Sequence, residues 1–267
     1  MSEPYPETDA TERPRPDPVV RRIGVRDVVE ALIAGLRDFQ AAPLFGLFFG
    51  GIYTLAGLAI LLSLTRFGVP YLAYPLAAGF VLIGPFVAVG LYEVSRRREA
   101  GLPLAWGKVL GVVFAQSQRE LGWMAFVTLF VMMMWLYQVR LLLALFLGFQ
   151  SFSSFNGFLS VIATTPEGLM FLAVGNLVGA VLAAALFSLT VVSFPLLLDR
   201  EVDFITAMIT SVRAVATNPV PMLGFAAAIV ALSAVAMLPV FLGLIVVMPV
   251  LGHATWHLYR RVVEPAA

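Results

Sequence analysis

Cysteine is absent from this chain of 267 residues, and charge is scarce. Without cysteine there is no disulfide, no thiolate nucleophile and no cysteine-ligated metal or iron–sulfur site. Only 12% of the residues are charged and 60% are hydrophobic, whereas a soluble domain is about one quarter charged and about half apolar. A soluble fold could not bury that surplus. The composition therefore predicts an all-α fold, a polytopic membrane helix bundle made of one membrane domain.

The first 18 residues differ from the rest of the chain. They hold five of the 17 prolines among acidic residues, Thr and Arg, and such a segment is too polar to bury a core. We expect residues 1–18 to form a disordered tail, followed by a membrane domain over residues 19–262. The tail has no apolar core of a signal peptide, so the first span would itself direct insertion. Apolar residues at three- and four-residue spacing predict an amphipathic helix over residues 19–42.

Long uncharged runs predict six transmembrane helices. The last run, residues 214–259, would reach about 69 Å as a single helix, more than two hydrocarbon cores, so it must fold back near Pro239 and Gly243. Residues 93–120 are polar enough to be a loop that contains a second amphipathic helix, and residues 201–217 predict a third. Residues 141–166 are uncharged but broken by polar side chains, which favours an interfacial or re-entrant segment. The third span should end near residue 138 or, if Arg140 snorkels, a little later. The six spans are predicted near residues 44–64, 67–92, 121–138, 168–198, 220–238 and 240–259.

The distribution of basic residues predicts the orientation of these spans in the membrane. Fifteen of the 17 lie in the N-terminal segment, the second and fourth connections and the C-terminus, against only Arg66 and Arg140 on the other side. Because cytoplasmic loops carry an excess of Lys and Arg, both termini are predicted to be cytoplasmic.

An internal repeat supports the same organisation. Residues 27–37 align with residues 203–213 at an offset of 176, and Pro43 aligns with Pro219. Farther on, Pro85 and Tyr92 align with Pro249 and Trp256 at an offset of 164. The unit is a cytoplasmic amphipathic helix followed by a transmembrane hairpin, and a middle copy fits in length and order. We expect parallel repeats over approximately residues 27–98, 103–199 and 203–261.

The two histidines, His253 and His257, lie four residues apart and share one helix face. Glu93 occupies the position equivalent to His257 in the repeat, so a weak metal site of these three residues is conceivable. The alternative, which we favour, is that both histidines lie in the headgroup region as polar members of an aromatic belt with Trp256 and Tyr259.

Two polar residues fall inside apolar segments. Arg140 follows a 19-residue uncharged run, so it is either an intramembrane functional charge or, as we favour, a side chain that snorkels to the interface. Asn176, with Gly175 and Gly179, could line a polar cavity, although such residues more often form helix contacts. Together Arg140 and Asn176 are the candidate polar pathway.

Clustered arginines provide the remaining site candidates. They would anchor the chain under the positive-inside rule and could bind anionic lipid headgroups. No phosphate-binding loop, nucleophile elbow or intramembrane carboxylate pair is present, so the sequence predicts no enzyme, no cofactor and no nucleic-acid partner. The clustered residues are Arg96, Arg97, Arg98, Arg260 and Arg261.

A family resemblance adds to these observations. It is carried by Asp27, Gly35-Leu36-Arg37-Asp38-Phe39, Pro43 and Phe49-Gly50, and by Gly79-Phe80, Gly84-Pro85, Gly90-Leu91-Tyr92-Glu93, Arg96-Arg97 and Gly101. In these segments the chain resembles an uncharacterised family of predicted bacterial integral membrane proteins, some labelled putative cytochrome c oxidase subunit. The resemblance implies a bacterial inner-membrane location. Two histidines cannot build the haem–copper centre of a catalytic oxidase subunit, which leaves an accessory or assembly role.

Two function classes follow. The chain is either a scaffold or assembly factor for a membrane complex, or a transporter or channel for a small solute with a pathway between the repeats. The scarcity of ionisable residues within the spans favours the first. Its partners would be the lipid bilayer and another membrane protein or a second copy of the chain.

Overall fold

A computed structural model describes residues 17–65, 87–117, 120–148 and 155–265. Within these ranges the chain is helical, apart from short connections and an isolated antiparallel bridge between Val20 and Val263. The helices are α1 (Val25–Ala41), α2 (Pro43–Thr65), α3 (87–99), α4 (Trp106–Ser117), α5 (Glu120–Leu147), α6 (Phe155–Thr164), α7 (Pro166–Thr190), α8 (Ser193–Asp199), α9 (Phe204–Thr217), α10 (Pro219–Met237) and α11 (Leu244–Val262).

Four helical segments in the described residues are long and apolar enough to cross a membrane. They are Pro43–Ser63, Glu120–Leu147, Pro166–Asp199 and Pro219–Met237, and they match the first, third, fourth and fifth predicted spans. The second predicted span lies largely outside the described residues. The sixth corresponds to α11, whose C-terminal half carries two histidines and two arginines and which is not among the four.

Three boundaries differ from the sequence prediction. The first amphipathic helix, α1, begins at Val25 and not at residue 19. Helix α3 continues to residue 99, so the prediction of a loop from Glu93 is wrong for residues 93–99. Helix α5 runs unbroken through Arg140 to Leu147, past both residue 138 and the slightly later end that was the alternative, because arginine is a good helix former. Residues 141–147 therefore belong to α5, and α6 covers Phe155–Thr164. Between α10 and α11 the chain turns through Val240 and Phe241, both with positive φ.

Local sequence signals explain where several helices begin. The Asp203 side chain caps α9 by accepting a hydrogen bond of 2.9 Å from the Thr206 amide. At α7, the Thr165 hydroxyl caps the helix and Pro166 occupies the first turn, where a missing N–H costs nothing. Each of these positions satisfies or removes an amide donor that the helix itself leaves unpaired.

Helices α1 and α9 turn into the spans that follow them through the same backbone geometry. Ala42 joins α1 to α2 with φ −132° and ψ 55°, and Asn218 joins α9 to α10 with φ −128° and ψ 55°. A proline follows in both cases, and proline biases the preceding residue away from the α conformation. Both amphipathic helices are therefore attached to the end of a span by a single residue.

Helix α11 lies at the centre of the described bundle and packs against α1, α2 and α10. Two glycines permit close approach to α11, because a Cβ would lie 2.2 Å from the Ile245 carbonyl oxygen at Gly50 of α2 and 2.5 Å from the Val250 carbonyl oxygen at Gly35 of α1. Helices α5 and α7 pack against each other, and both also contact α8 and α9. The two ends of the described chain meet at the Val20–Val263 bridge, where the Arg21 amide also donates to the Val262 carbonyl.

Candidate functional site

Buried charged and polar side chains from α1, α3 and α11 meet in one cluster, the Asp38 network, which comprises Asp38, Ser95, Arg98, His253 and His257. Asp38 is 6% exposed, and Ser95 and His253 are fully buried. Asp38 reaches this interior because it shares the buried face of α1 with Val28, Ala31 and Gly35, at the spacing of one helix face.

Three side chains donate hydrogen bonds to the Asp38 carboxylate. Arg98 Nε lies 2.8 Å from Oδ1, and Ser95 Oγ and His257 Nε2 lie 2.6 and 2.8 Å from Oδ2. Two of the donors come from α3 and one from α11. The carboxylate therefore ties three helices together.

The pKa of Asp38 shows which force prevails at this site. Burial raises the pKa, but the hydrogen bonds from His257, Ser95 and Arg98 outweigh burial and lower it from 3.8 to about 2. Asp38 is therefore a carboxylate at neutral pH, which makes it an acceptor only.

That charge state orders the rest of the network. Because the Ser95 hydroxyl has a single proton and donates it to Asp38, its oxygen accepts from His253 Nδ1 at 2.8 Å. The direction of donation runs from His253 through Ser95 to Asp38. In a nucleophile triad the histidine would stand between serine and carboxylate and take the hydroxyl proton. Here the serine stands in the middle, so this order does not activate it.

Glu93 occupies a separate ion cluster on α3. Its side chain is fully buried, and Arg96 Nε and Arg97 Nε each donate to it at 2.7 Å. Arg97 also donates to the Pro103 carbonyl at 3.1 Å. A buried carboxylate with two cationic donors is compensated in charge, and Arg97 pins the connection that leads to α4.

A third cluster joins α3, α8 and α11. Glu99 accepts from Trp256 Nε1 at 2.9 Å and from Arg260 Nε at 3.0 Å. Asp199, at the end of α8, accepts from the Tyr259 hydroxyl at 2.7 Å and lies 3.5 Å from Arg260 Nη1. Arg260 thus bridges carboxylates of α3 and α8.

The three residues of the conceivable metal site are divided between these clusters. His253 and His257 belong to the Asp38 network, whereas Glu93 faces Arg96 and Arg97. In the described ranges, no group of three or more His, Asp or Glu side chains is arranged to hold a metal ion.

Of the candidate polar pathway, one member faces a cavity. A space of about 1160 Å³ lies between the α5–α7 pair and helices α2, α10 and α11. Asn176 lines it, together with Thr128 and Thr190, but the other lining residues are mostly apolar and no Asp, Glu, Lys, Arg or His is among them. The Asn176 amide donates to the Leu172 carbonyl of its own helix at 2.7 Å.

Arg140 does not line this cavity. It is exposed on α5, and at 1.5 Å per residue it lies about 30 Å along the helix from Glu120, close to one hydrocarbon thickness. This separation supports an interfacial position for its guanidinium.

The five clustered arginines all form ion pairs inside the protein. Arg96 and Arg97 contact Glu93, Arg98 contacts Asp38, and Arg260 contacts Glu99 and Asp199, while Arg261 lies 3.0 Å from Asp27 and 2.8 Å from Glu30. Lipid headgroup binding by these arginines stays a prediction, and any such contact would compete with these carboxylates.

Sequence reasoning missed Asp38, Ser95, Glu99 and Asp199 as members of these clusters. For Asp38 a signal existed, because it follows Val28, Ala31 and Gly35 on the apolar face of an amphipathic helix. A charge at such a position requires a partner from another element. For the other three, the sequence holds no comparable signal.

Comparison with known proteins agrees with the membrane character. Residues 73–199 match the model of a family described as a predicted integral membrane protein (DUF2189). The match spans just under half of the chain and includes α3–α8. No curated protein and no solved structure matches the chain. With four apolar helices of spanning length, the chain is an integral membrane protein. The family description names no activity, bacterial origin or oxidase subunit.

Proposed function

We propose that the chain is a non-enzymatic, multi-pass protein of the bacterial inner membrane that acts as a scaffold, an assembly factor or an accessory subunit of a membrane complex. The observation that carries this proposal is the pairing of four carboxylates, two of them buried, with donors of the protein itself. The carboxylates of Asp38, Glu93, Glu99 and Asp199 are bonded to groups of the protein itself, and none of them lines the cavity. Ion-coupled transporters keep ionisable groups along their pathway.

The topology that accompanies this proposal has six spans in three hairpins, with both termini in the cytoplasm. Equal backbone angles at Ala42 and Asn218 support a common unit for the first and third hairpins. The packing supports a ring of three units. Helix α1 packs on α11, α4 shares a buried cluster with α3 through Val109, and α9 packs on α8. Each amphipathic helix thus contacts the last helix of another unit. The second unit contacts the first in this way, the third contacts the second, and the first contacts the third, which closes the ring.

The position of the chain ends supports a shared side for the termini. Val20 pairs with Val263, and the Glu264 amide donates to the Val19 carbonyl at 3.0 Å. An even number of crossings is the arrangement that brings both ends to one face.

A second candidate function is transport of a small solute, and the cavity of about 1160 Å³ that includes Asn176 favours it. The two functions differ in whether water reaches this cavity. A transport pathway must be wetted from at least one side, whereas the cavity of a scaffold needs no water.

Single cysteines in this cysteine-free chain test topology and function together. We would place them at Ala100, Ala163 and Asn176 and apply a membrane-impermeant thiol reagent to intact and opened cells. The proposed topology predicts labelling of A163C in intact cells and of A100C only in opened cells. Reaction of N176C in either preparation would support transport. A silent N176C, together with photocrosslinks from exposed Phe130 of α5 to one defined membrane protein, would support the scaffold. Reaction at N176C together with no crosslink from Phe130 would refute the scaffold function.

A further inference from the structure

Helices α1 and α9 leave the same apolar face uncovered. On α1, Val29, Ile33 and Leu36 are 48%, 45% and 42% exposed. On α9, the residues 176 positions later, Ile205, Ile209 and Val212, are 52%, 46% and 41% exposed. Their spacing of four and three residues aligns them in one stripe along each helix. We call these two stripes the outer faces of α1 and α9.

The inner faces of the two helices correspond in the same way. Ala31 and Ala207 are fully buried, and Gly35 and Ser211 both contact the helix beneath, Gly35 against α11 and Ser211 through a hydrogen bond from the Val192 amide. Packing within the chain explains why these inner positions stay small. It does not explain why both outer faces are apolar, since no described residue covers them.

An arginine stands beside each outer face at equivalent positions. Arg37 follows Leu36 and Arg213 follows Val212, about 100° around the helix from them. Both side chains are exposed, and neither has a carboxylate within salt-bridge distance in the described parts of the chain. They differ in this respect from Arg96, Arg97, Arg98, Arg260 and Arg261.

The corners at Ala42 and Asn218 fix both outer faces next to the ends of α2 and α10. One residue separates α1 from α2 and α9 from α10, and α2 and α10 are apolar helices of spanning length. An amphipathic helix attached directly to the end of a span lies where headgroups meet acyl chains. A soluble partner would have to match two separate copies of the surface, whereas lipid is present at both.

We propose that the outer faces of α1 and α9 are two equivalent binding sites for anionic phospholipid. Val29, Ile33 and Leu36, and their counterparts on α9, enter the acyl boundary, while Arg37 and Arg213 bind lipid phosphate groups. The two sites would fix the depth of the bundle on the side where both chain ends lie. This inference rests on the membrane character of the chain and not on the scaffold function, so either can fail alone.

The apolar half of the proposal is tested with a fluorophore. Full-length I33C and I209C would carry an environment-sensitive dye in nanodiscs, and exposed A100C is the matched control. Both stripe positions should be quenched by lipid spin-labelled near the top of the acyl chain and protected from iodide, with the opposite pattern at A100C. Iodide quenching at I33C and I209C equal to that at A100C would overturn the proposal. It would also be overturned if protection from iodide persisted in detergent and copies of the chain crosslinked to one another, because a second copy would then cover these faces.

The charged half is tested by lipid binding. Native mass spectrometry of the detergent-solubilised chain would measure retention of phosphatidylglycerol against phosphatidylcholine. We expect R37Q/R213Q to bind phosphatidylglycerol about 5-fold more weakly at each site, on the basis of about 1 kcal/mol for the single arginine of each site, and R37K/R213K to bind nearly as wild type. R26Q is the control, because Arg26 already pairs with Glu30 at 2.8 Å. Unchanged phosphatidylglycerol binding by R37Q/R213Q would refute the proposal, and so would full competition by millimolar inorganic phosphate.

Discussion

Replacing Asp38 by asparagine removes the negative charge that Arg98, Ser95 and His257 share. Breaking a buried ion pair by removing one partner costs about 3–5 kcal/mol. The Arg98 and His257 side chains keep 31% and 21% exposure, so water recovers part of their solvation. We therefore expect D38N to lower the free energy of unfolding by about 2–3 kcal/mol, measured by denaturant titration of the full chain in mixed micelles.

Asp203→Asn is the matched control for this change. Asp203 is an exposed N-cap with the same side chain, and asparagine caps a helix about as well as aspartate. D203N should lower the free energy of unfolding by less than about 0.5 kcal/mol. Equal effects of D38N and D203N would refute the reasoning, because Asp38 would then contribute no more than an exposed carboxylate.

The same pair of proteins yields a pH test. The pKa of Asp38 is lowered on folding from 3.8 to about 2, so its contribution to stability is complete above about pH 4 and is lost as the pH falls toward 2. The stability difference between wild type and D38N should therefore be constant near neutrality and shrink below pH 4. A difference that grows on acidification would contradict the assignment of Asp38 as a carboxylate.

Two further variants test the packing and the second ion cluster. Gly35→Ala should destabilise the folded protein by about 1–3 kcal/mol, because its Cβ would lie 2.5 Å from the Val250 carbonyl oxygen and force α1 away from α11. The control is Gly51→Ala, whose Cβ would have nothing within 4 Å. It should be neutral or slightly stabilising in the same thermal scan. Glu93→Gln should lower the melting temperature. Adding Arg97→Gln should restore part of that loss, because the charges of Glu93 and Arg97 are then both gone. Losses that simply add would show that the two residues are not coupled.

The spans and corners were accessible from sequence because they depend on local patterns. Uncharged runs located α2, α5, α7 and α10, and the constant offset of 176 residues aligned α1 with α9 before any contact was known. The boundary of α5 was not accessible, because a single Arg140 interrupts the hydropathy of a helix without interrupting its hydrogen bonds.

The ion clusters needed the tertiary structure. The predicted repeat aligns Glu93 with His257, yet the partners of Glu93 are Arg96 and Arg97, three and four residues along its own helix. Ser95 and His253 are 158 residues apart, and no spacing rule connects them. Equivalence in a repeat places residues on corresponding faces, but contact depends on which faces the assembled helices turn toward one another.

The packing of α1 on α11 sets an order for biosynthesis. The first helix of the described chain finds its main partner in the last one, and the bridge between Val20 and Val263 seals that junction. At translation rates of about 5–20 residues per second, α1 would wait on the order of 10–40 s before α11 leaves the ribosome. During that interval Asp38 has neither His257 nor the rest of α11 beside it. Synthesis of α11 therefore completes the contacts of α1, and a protein truncated before α11 would hold Asp38 through Ser95 and Arg98 of α3 alone, without the hydrogen bond from His257.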